Sequence, residues 1–265
     1  MSIVYGTLKS KLVGEELSYR AILPNGYIDS SRKYPVLYLL HGLFGSCENW
    51  IELTRLAELA GRRNLIVITP EGKDAWYVDS ATTASDRFES YIVEELMPET
   101  EREFKIDGRR EMRAIVGNSM GGYGAIKFGL KYPCQFAFAG SFSGAFDAPK
   151  VSDKNPGTFW EGFEGSIMAA FGPRESTVRQ DNDLFGIIDK MPARAIEKLP
   201  RLYMDCGARD HFIKVNRELS EAMTKRQIAH EFQELPGGHD WEYWDSRVPH
   251  FIEKLGQLPG WEKQN

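Results

Sequence analysis

Two stretches near the start of the chain alternate apolar and polar positions, SIVYGTLKS (2–10) and ELSYRAIL (16–23), and the second runs into the turn-forming PNGY (24–27). A period of two belongs to strands with one buried face, so an antiparallel pair is predicted here. Beyond it the pattern changes. VLYLL (36–40), LIVIT (65–69), MRAIV (112–116), FAFAGSF (136–142), RLYMD (201–205) and HEFQEL (230–235) are short apolar or β-rich runs, most of them separated by helical patterns. One such pattern carries Phe88, Ile92 and Leu96; another carries Trp241, Trp244, Val248 and Ile252. Strands apolar on both faces need cover on both, which predicts an α/β fold with a mostly parallel sheet between two layers of helices. No internal repeat, linker or low-complexity segment interrupts the series, so a single domain over residues 1–265 is expected. Segment 147–186 has no clear strand and mixes charges with GTFWEGFEGSIMAAFG. It reads as an insertion or small cap over the edge or mouth of the sheet.

Composition narrows the partners. A chain of 265 residues with 42% hydrophobic content is long enough for a sizeable core. The 33 basic against 38 acidic residues leave a net charge of −5, with no basic cluster to neutralise phosphates, so nucleic acid is not an expected partner. No run approaches the roughly 18 apolar residues of a membrane span, and the first residues lack a leader's basic and apolar regions. Cys47, Cys134 and Cys206 are too few and scattered for a disulfide framework or a CxxC metal site. A cytoplasmic location is expected, although a secreted protein stripped of its leader would read the same. Oligomeric state leaves no mark in the sequence.

The candidate chemistry lies at the ends of the apolar runs. GNSMGG (117–122) stands between MRAIV and the helix-like YGAIKFGLKY. A G-x-S-x-G sequence at a strand-to-helix junction is the nucleophile elbow of α/β-hydrolases, with the serine exposed at the apex and the helix dipole behind it. Ser119 is therefore the candidate nucleophile. HGLFG (41–45) directly follows VLYLL, where acyl transfer needs one of two backbone N–H groups aimed at the carbonyl oxygen; Leu43 and Met120 are the candidate oxyanion-hole donors. His41 precedes the acid in chain order and reads as structural. In MDCGARDHF (204–212) the acids Asp205 and Asp210 compete; Asp205 falls within the strand pattern and Asp210 in the loop beyond it, where the acid of such a triad emerges. Asp210 is preferred. His211 beside it is expected in the first helical turn, too close in sequence to fold onto that carboxylate. LPGGHDW (235–241) carries His239 on a glycine-bearing loop after the last strand, giving the order Ser119, Asp210, His239. His230 and His250 lie outside that loop, and the five histidines show no spacing such as HExxH, so no metal site is expected.

HGLFGS, GNSMGGYGA, CGARD and GGHDW, together with DSATTASDRFESYIVEELMPE, resemble the esterase D group of α/β-hydrolases over residues 15–256 or so. That group includes S-formylglutathione hydrolases and tributyrin, feruloyl and acetylxylan esterases, with mycolyltransferases more distant. The resemblance implies a cofactor-free serine enzyme acting on small ester substrates. Two departures bear on specificity. S-formylglutathione hydrolases usually carry a cysteine two positions after the HGL, where this chain has Gly45, and a histidine before the serine, where it has Asn118; Cys47 is displaced by two. A tributyrin- or feruloyl-type carboxylesterase is therefore expected ahead of a glutathione thioesterase or an acyltransferase. Aromatic residues gather near the expected mouth: Trp76 and Tyr77, then Phe159, Trp160 and Phe163, then Trp241, Tyr243 and Trp244. Trp76, Trp160 and Trp241 are the candidate substrate-binding residues, whereas Trp244 reads as core.

Overall fold

The computed structural model describes residues 1–152, 155 and 157–261. The alternating runs form the antiparallel pair β1 (Ser2–Lys9) and β2 (Glu16–Leu23). The apolar runs form β3 (Val36–Leu40), β4 (Ile66–Pro70), β5 (Arg113–Asn118), β6 (Phe138–Phe142), β7 (Arg201–Gly207) and β8 (His230–Leu235). All eight lie in one sheet in the order β1-β2-β4-β3-β5-β6-β7-β8. β2 pairs antiparallel with β4, and every pairing from β4 to β8 is parallel.

Alternation along the strands supplies the two cores. On β3, Tyr38 and Leu40 join one apolar cluster and Leu37 and Leu39 the other, because successive side chains leave a strand on opposite faces. The second face is covered by α1 (Asn49–Glu52), α2 (Leu56–Gly61) and, from the far end of the chain, α11 (Trp241–Leu255). The helical pattern at Phe88 begins as α3 (Phe88–Ser90), widens into a π-helical turn (Tyr91–Leu96) and continues as α4 (Met97–Glu103). With α5 (Met120–Lys131) it covers the first face. Among the described residues no helix is long and apolar enough to cross a membrane.

From Glu164 on, segment 147–186 forms helices: α6 (Glu164–Phe171), α7 (Thr177–Asn182) and the first part of α8 (Leu184–Lys190). Asp153 and Lys154, two of its charges, lie outside the described residues. Polar stitches join it to the loop after β4. The Trp76 indole N–H donates to Ser166 Oγ at 3.0 Å, and the Ser80 and Thr82 hydroxyls both donate to the Ala169 carbonyl. Its own turns are drawn together by the buried Arg179 guanidinium, which donates to the carbonyls of Pro149, Val151 and Gly172. The chain continues through the short α9 (Ala193–Ile196) to β7 and α10 (Ile213–Lys225).

Register fixes where the loops emerge. Leu40 is level with Gly117, Asn118 with Phe142, Phe142 with Asp205 and Gly207 with Leu235. The carboxyl ends of β3, β5, β6, β7 and β8 therefore open on one edge, where open α/β sheets place their ligands.

Candidate active site

Ser119 caps α5 directly after β5, with φ 53° and ψ −116°. A non-glycine residue at such angles carries strain of about 1–3 kcal/mol that the surroundings must hold. They hold it through three backbone bonds: Ser119 N–H to the Phe142 carbonyl, and the N–H groups of Tyr123 and Ala145 to the Ser119 carbonyl. The elbow closes only because its flanks lack side chains. A Cβ on Gly121 would stand 2.5 Å from the Leu40 carbonyl oxygen, and one on Gly117 2.5 Å from the backbone of Gly121.

The loops after β7 and β8 are built against each other. Ala208 N–H donates to the Leu235 carbonyl and Arg209 N–H to the Gly237 carbonyl. A side chain on Gly207 would meet Gly237 at 2.6 Å, so the two backbones touch. That contact brings Asp210 and His239 together. His239 Nδ1 lies 2.9 Å from Asp210 Oδ2, and His239 Nε2 lies 3.0 Å from Ser119 Oγ. Asp210 is enclosed and its other oxygen accepts the Phe212 N–H. Burial raises the carboxyl, but bonding from His239, Ser143 and Phe212 outweighs it and holds Asp210 below the ordinary carboxylate range. With Nδ1 turned to that carboxylate, Nε2 is the ring nitrogen that faces the Ser119 hydroxyl.

Asp205, the competing acid, is directed elsewhere. It accepts from the Tyr203 and Tyr243 hydroxyls at 2.7 Å each and from Arg247 Nε at 3.0 Å, under the sheet rather than at its mouth. Burial raises its carboxyl despite these partners. Tyr243 thus belongs to the core. His41 is buried as well, bonded through Nδ1 to the Gly42 carbonyl and through Nε2 to the Gly72 N–H, which ties the loop after β3 to the loop after β4.

A cavity of about 310 Å³ opens at Ser119, walled by Trp76, Phe159, Trp160 and Phe163 on one side and Trp241, Trp244 and His239 on another. Among the described residues, no aspartate, glutamate, lysine or arginine lines it. Trp244 serves two purposes, since it is buried with its N–H on Ser143 yet presents an edge to His239 at 5.0 Å. Leu43 lines the cavity beside Gly42, whose absent Cβ would lie 3.3 Å from Ser119 Cβ. Met120 sends its side chain into the core and is the first residue of α5. Neither the Leu43 nor the Met120 N–H donates to another described group.

Three neighbours make contacts that the sequence reading did not assign. Ser143, at the end of β6, bonds to Asp210 and Trp244. Asn118 is buried at the cavity wall with its Oδ1 lacking a partner among the described residues. His211 lies in the turn before α10 rather than in its first helical turn, and its ring centroid is 4.4 Å from that of His239. One possible ligand atom each from Asp210, His211 and His239 lies within 4.8 Å of the other two, a juxtaposition on which the spacing of the histidines is silent. A spacing rule reads ligands on one element, and these come from two loops.

The sequence model of the putative esterase family matches residues 10–255. The chain belongs to that family. As an esterase it is a carboxylic ester hydrolase. It is 29% identical to an acetyl esterase of Caldicellulosiruptor saccharolyticus over 97% of this chain and 99% of that protein. Among solved structures it is similar to a substrate-bound fluorophosphonate-binding serine hydrolase of Staphylococcus aureus, with a TM-score of 0.84 at 27% identity, covering 96% of this esterase and 97% of that chain. A ferulic acid esterase gives 0.80 at 26% identity, covering 94% and 95%. The S-formylglutathione hydrolase of Staphylococcus aureus gives 0.80 at 26%, covering 96% and 99%.

Proposed function

We propose that this esterase hydrolyses short-chain acyl esters, of carbohydrates or phenolic acids among others, through an acyl-enzyme on Ser119, with His239 as general base and acid and Asp210 as its orienting partner. The observation that carries this reading is the unbroken relay Ser119 Oγ, His239 Nε2, His239 Nδ1, Asp210 Oδ2 with links of 3.0 and 2.9 Å, the reach a base needs toward its nucleophile. His239 takes the Ser119 proton as Oγ attacks the ester carbonyl. The negative charge that grows on the carbonyl oxygen is met by the Leu43 and Met120 N–H groups, and Asp210 stabilises the imidazolium. The tetrahedral adduct collapses, His239 returns the proton to the leaving alcohol, and water repeats the sequence on the acyl-enzyme.

Substrate class follows from the walls. The uncharged lining suits a neutral ester, and aromatic faces suit a sugar or phenolic ring. Trp76, Trp160 and Trp241 are proposed as those faces. Among the described residues of segment 147–186, Trp160 and Phe171 are buried and Phe159 is the only large apolar one that is exposed. Such a cap is a poor surface for oil droplets. The glutathione thioesterase reading is disfavoured at Gly45, where a Cβ would lie 2.6 Å from Asn49 Oδ1 and 2.9 Å from the Gly42 carbonyl oxygen, so a cysteine there would need the loop backbone to shift.

An active-site phosphonate should label Ser119 alone, and Ser119→Ala should lower kcat by about 10⁶. Across aryl esters, turnover should be best at two to four acyl carbons, roughly. Each methylene that fits adds only about 0.8 kcal/mol, so a closed pocket will show as a break in kcat/KM. Activity that climbs through long chains, or that jumps when droplets form, would contradict the short-chain assignment.

A further inference from the structure

His239 has a polar neighbour that the relay does not use. One ligand atom each from Asp210, His211 and His239 lie within 4.8 Å of one another. His211 is an exposed residue, and Phe159 stacks on its ring at 3.8 Å with the planes 16° apart. We infer that these three residues bind a borderline-soft divalent cation, Zn²⁺ or Cu²⁺, and that its binding shuts the esterase off. The inhibitory half of this inference rests on the catalytic reading of Asp210 and His239 given above.

Two imidazoles and a carboxylate are a donor set suited to these ions, with water completing a tetrahedron. Bonds of about 2.0–2.1 Å to a tetrahedral ion would require the donors to close by up to about 1.5 Å from their present spread. Asp210 and His239 are already held together by their hydrogen bond, so the adjustment falls on His211. That residue sits in a surface turn and can swing by side-chain rotation without moving a strand. Its exposure also gives the ion a path from solvent. Whichever His239 nitrogen the ion takes, one link is lost: Nδ1 surrenders its proton to solvent and its bond to Asp210, whereas Nε2 surrenders the lone pair that accepts from Ser119.

The test titrates ZnCl₂ into chelator-treated full-length protein by calorimetry and follows aryl acetate hydrolysis in parallel. Wild type and Ser119→Ala should each bind one equivalent. His211→Phe keeps a ring against Phe159 but offers no donor. It should bind more weakly by at least the roughly 10–100-fold that loss of an outer-shell partner costs, with an equal shift in the inhibition midpoint. His211→Asn should shift both by a similar factor, which separates a lost ligand from a packing fault. Cys134→Ser, which removes the exposed thiol, should behave as wild type. Wild-type zinc affinity in both His211 variants, or loss of binding in Cys134→Ser, would overturn the site. Zinc that binds as expected but leaves hydrolysis untouched would instead remove Asp210 and His239 from catalysis while the metal site stands.

Discussion

Two aspartates five positions apart divide the work at the end of β7. Asp205 points beneath the sheet, where Tyr203, Tyr243 and Arg247 saturate it. Asp210 points across to His239. Conservative replacement separates the roles. Asp210→Asn should cost about 10⁴ in kcat, because the amide favours the wrong tautomer of the histidine. Asp205→Asn should leave kcat essentially unchanged and lower stability by about 3 kcal/mol, since Arg247 loses its buried countercharge. Steady-state kinetics beside urea denaturation of both variants checks this; a catalytic loss confined to Asp205→Asn would reverse the assignment.

At the scale of elements, the junction of β5 with α5 depends on contact between backbones. Where a Cβ on Gly121 would meet the Leu40 oxygen at 2.5 Å and the His41 oxygen at 2.6 Å, no flexible side chain can give way. Gly121→Ala must push α5 off β3 and carry Ser119 with it. The expected result is a loss of at least the roughly 1–3 kcal/mol typical of overpacking, together with a fall in kcat, because a small misplacement of the hydroxyl breaks its 3.0 Å bond to His239. Thermal melts and kinetics on the one variant test both halves. A variant with wild-type melting and turnover would show that the elbow tolerates a side chain.

Across the whole molecule, the loop that carries Trp76 is anchored to the opposite end of α5 by a buried charge cluster. Lys127, fully buried, donates to the Tyr77 carbonyl and lies 2.6 Å from Glu89; Lys131 reaches the other Glu89 oxygen, also at 2.6 Å. Burial works to raise the Glu89 carboxyl, but the two ammonium groups outweigh it and hold it at about 2. Its folded value lies below its unfolded one, so the folded state releases this proton more readily. The resulting stability is complete above about pH 4.5 and is lost as pH falls toward 2. Urea midpoints of wild type should therefore fall through that window, and those of Glu89→Gln should start lower and fall less steeply. Parallel slopes for the two proteins would exclude Glu89 as a source of acid sensitivity.

Much of this was legible in one dimension. The two-residue alternation of β1 and β2, the apolar runs from β3 to β8 and the G-x-S-x-G junction express local constraints: side-chain direction along a strand, burial on both faces, and exclusion of side chains from a tight elbow. Such constraints act between neighbours in the chain, and a sequence displays them directly. The chain order of serine, acid and histidine could be read because the hydrolase topology ties order to position. What only the tertiary structure decided is what meets across loops. Tyr243 turned to Asp205 while Trp244, one residue on, reached both Ser143 and His239, since a helix directs successive side chains about 100° apart. His211 came to rest against His239 because the loops after β7 and β8 touch backbone to backbone at Gly207 and Gly237. Contacts of that kind depend on sheet register and loop packing, which no spacing within a single stretch of sequence encodes.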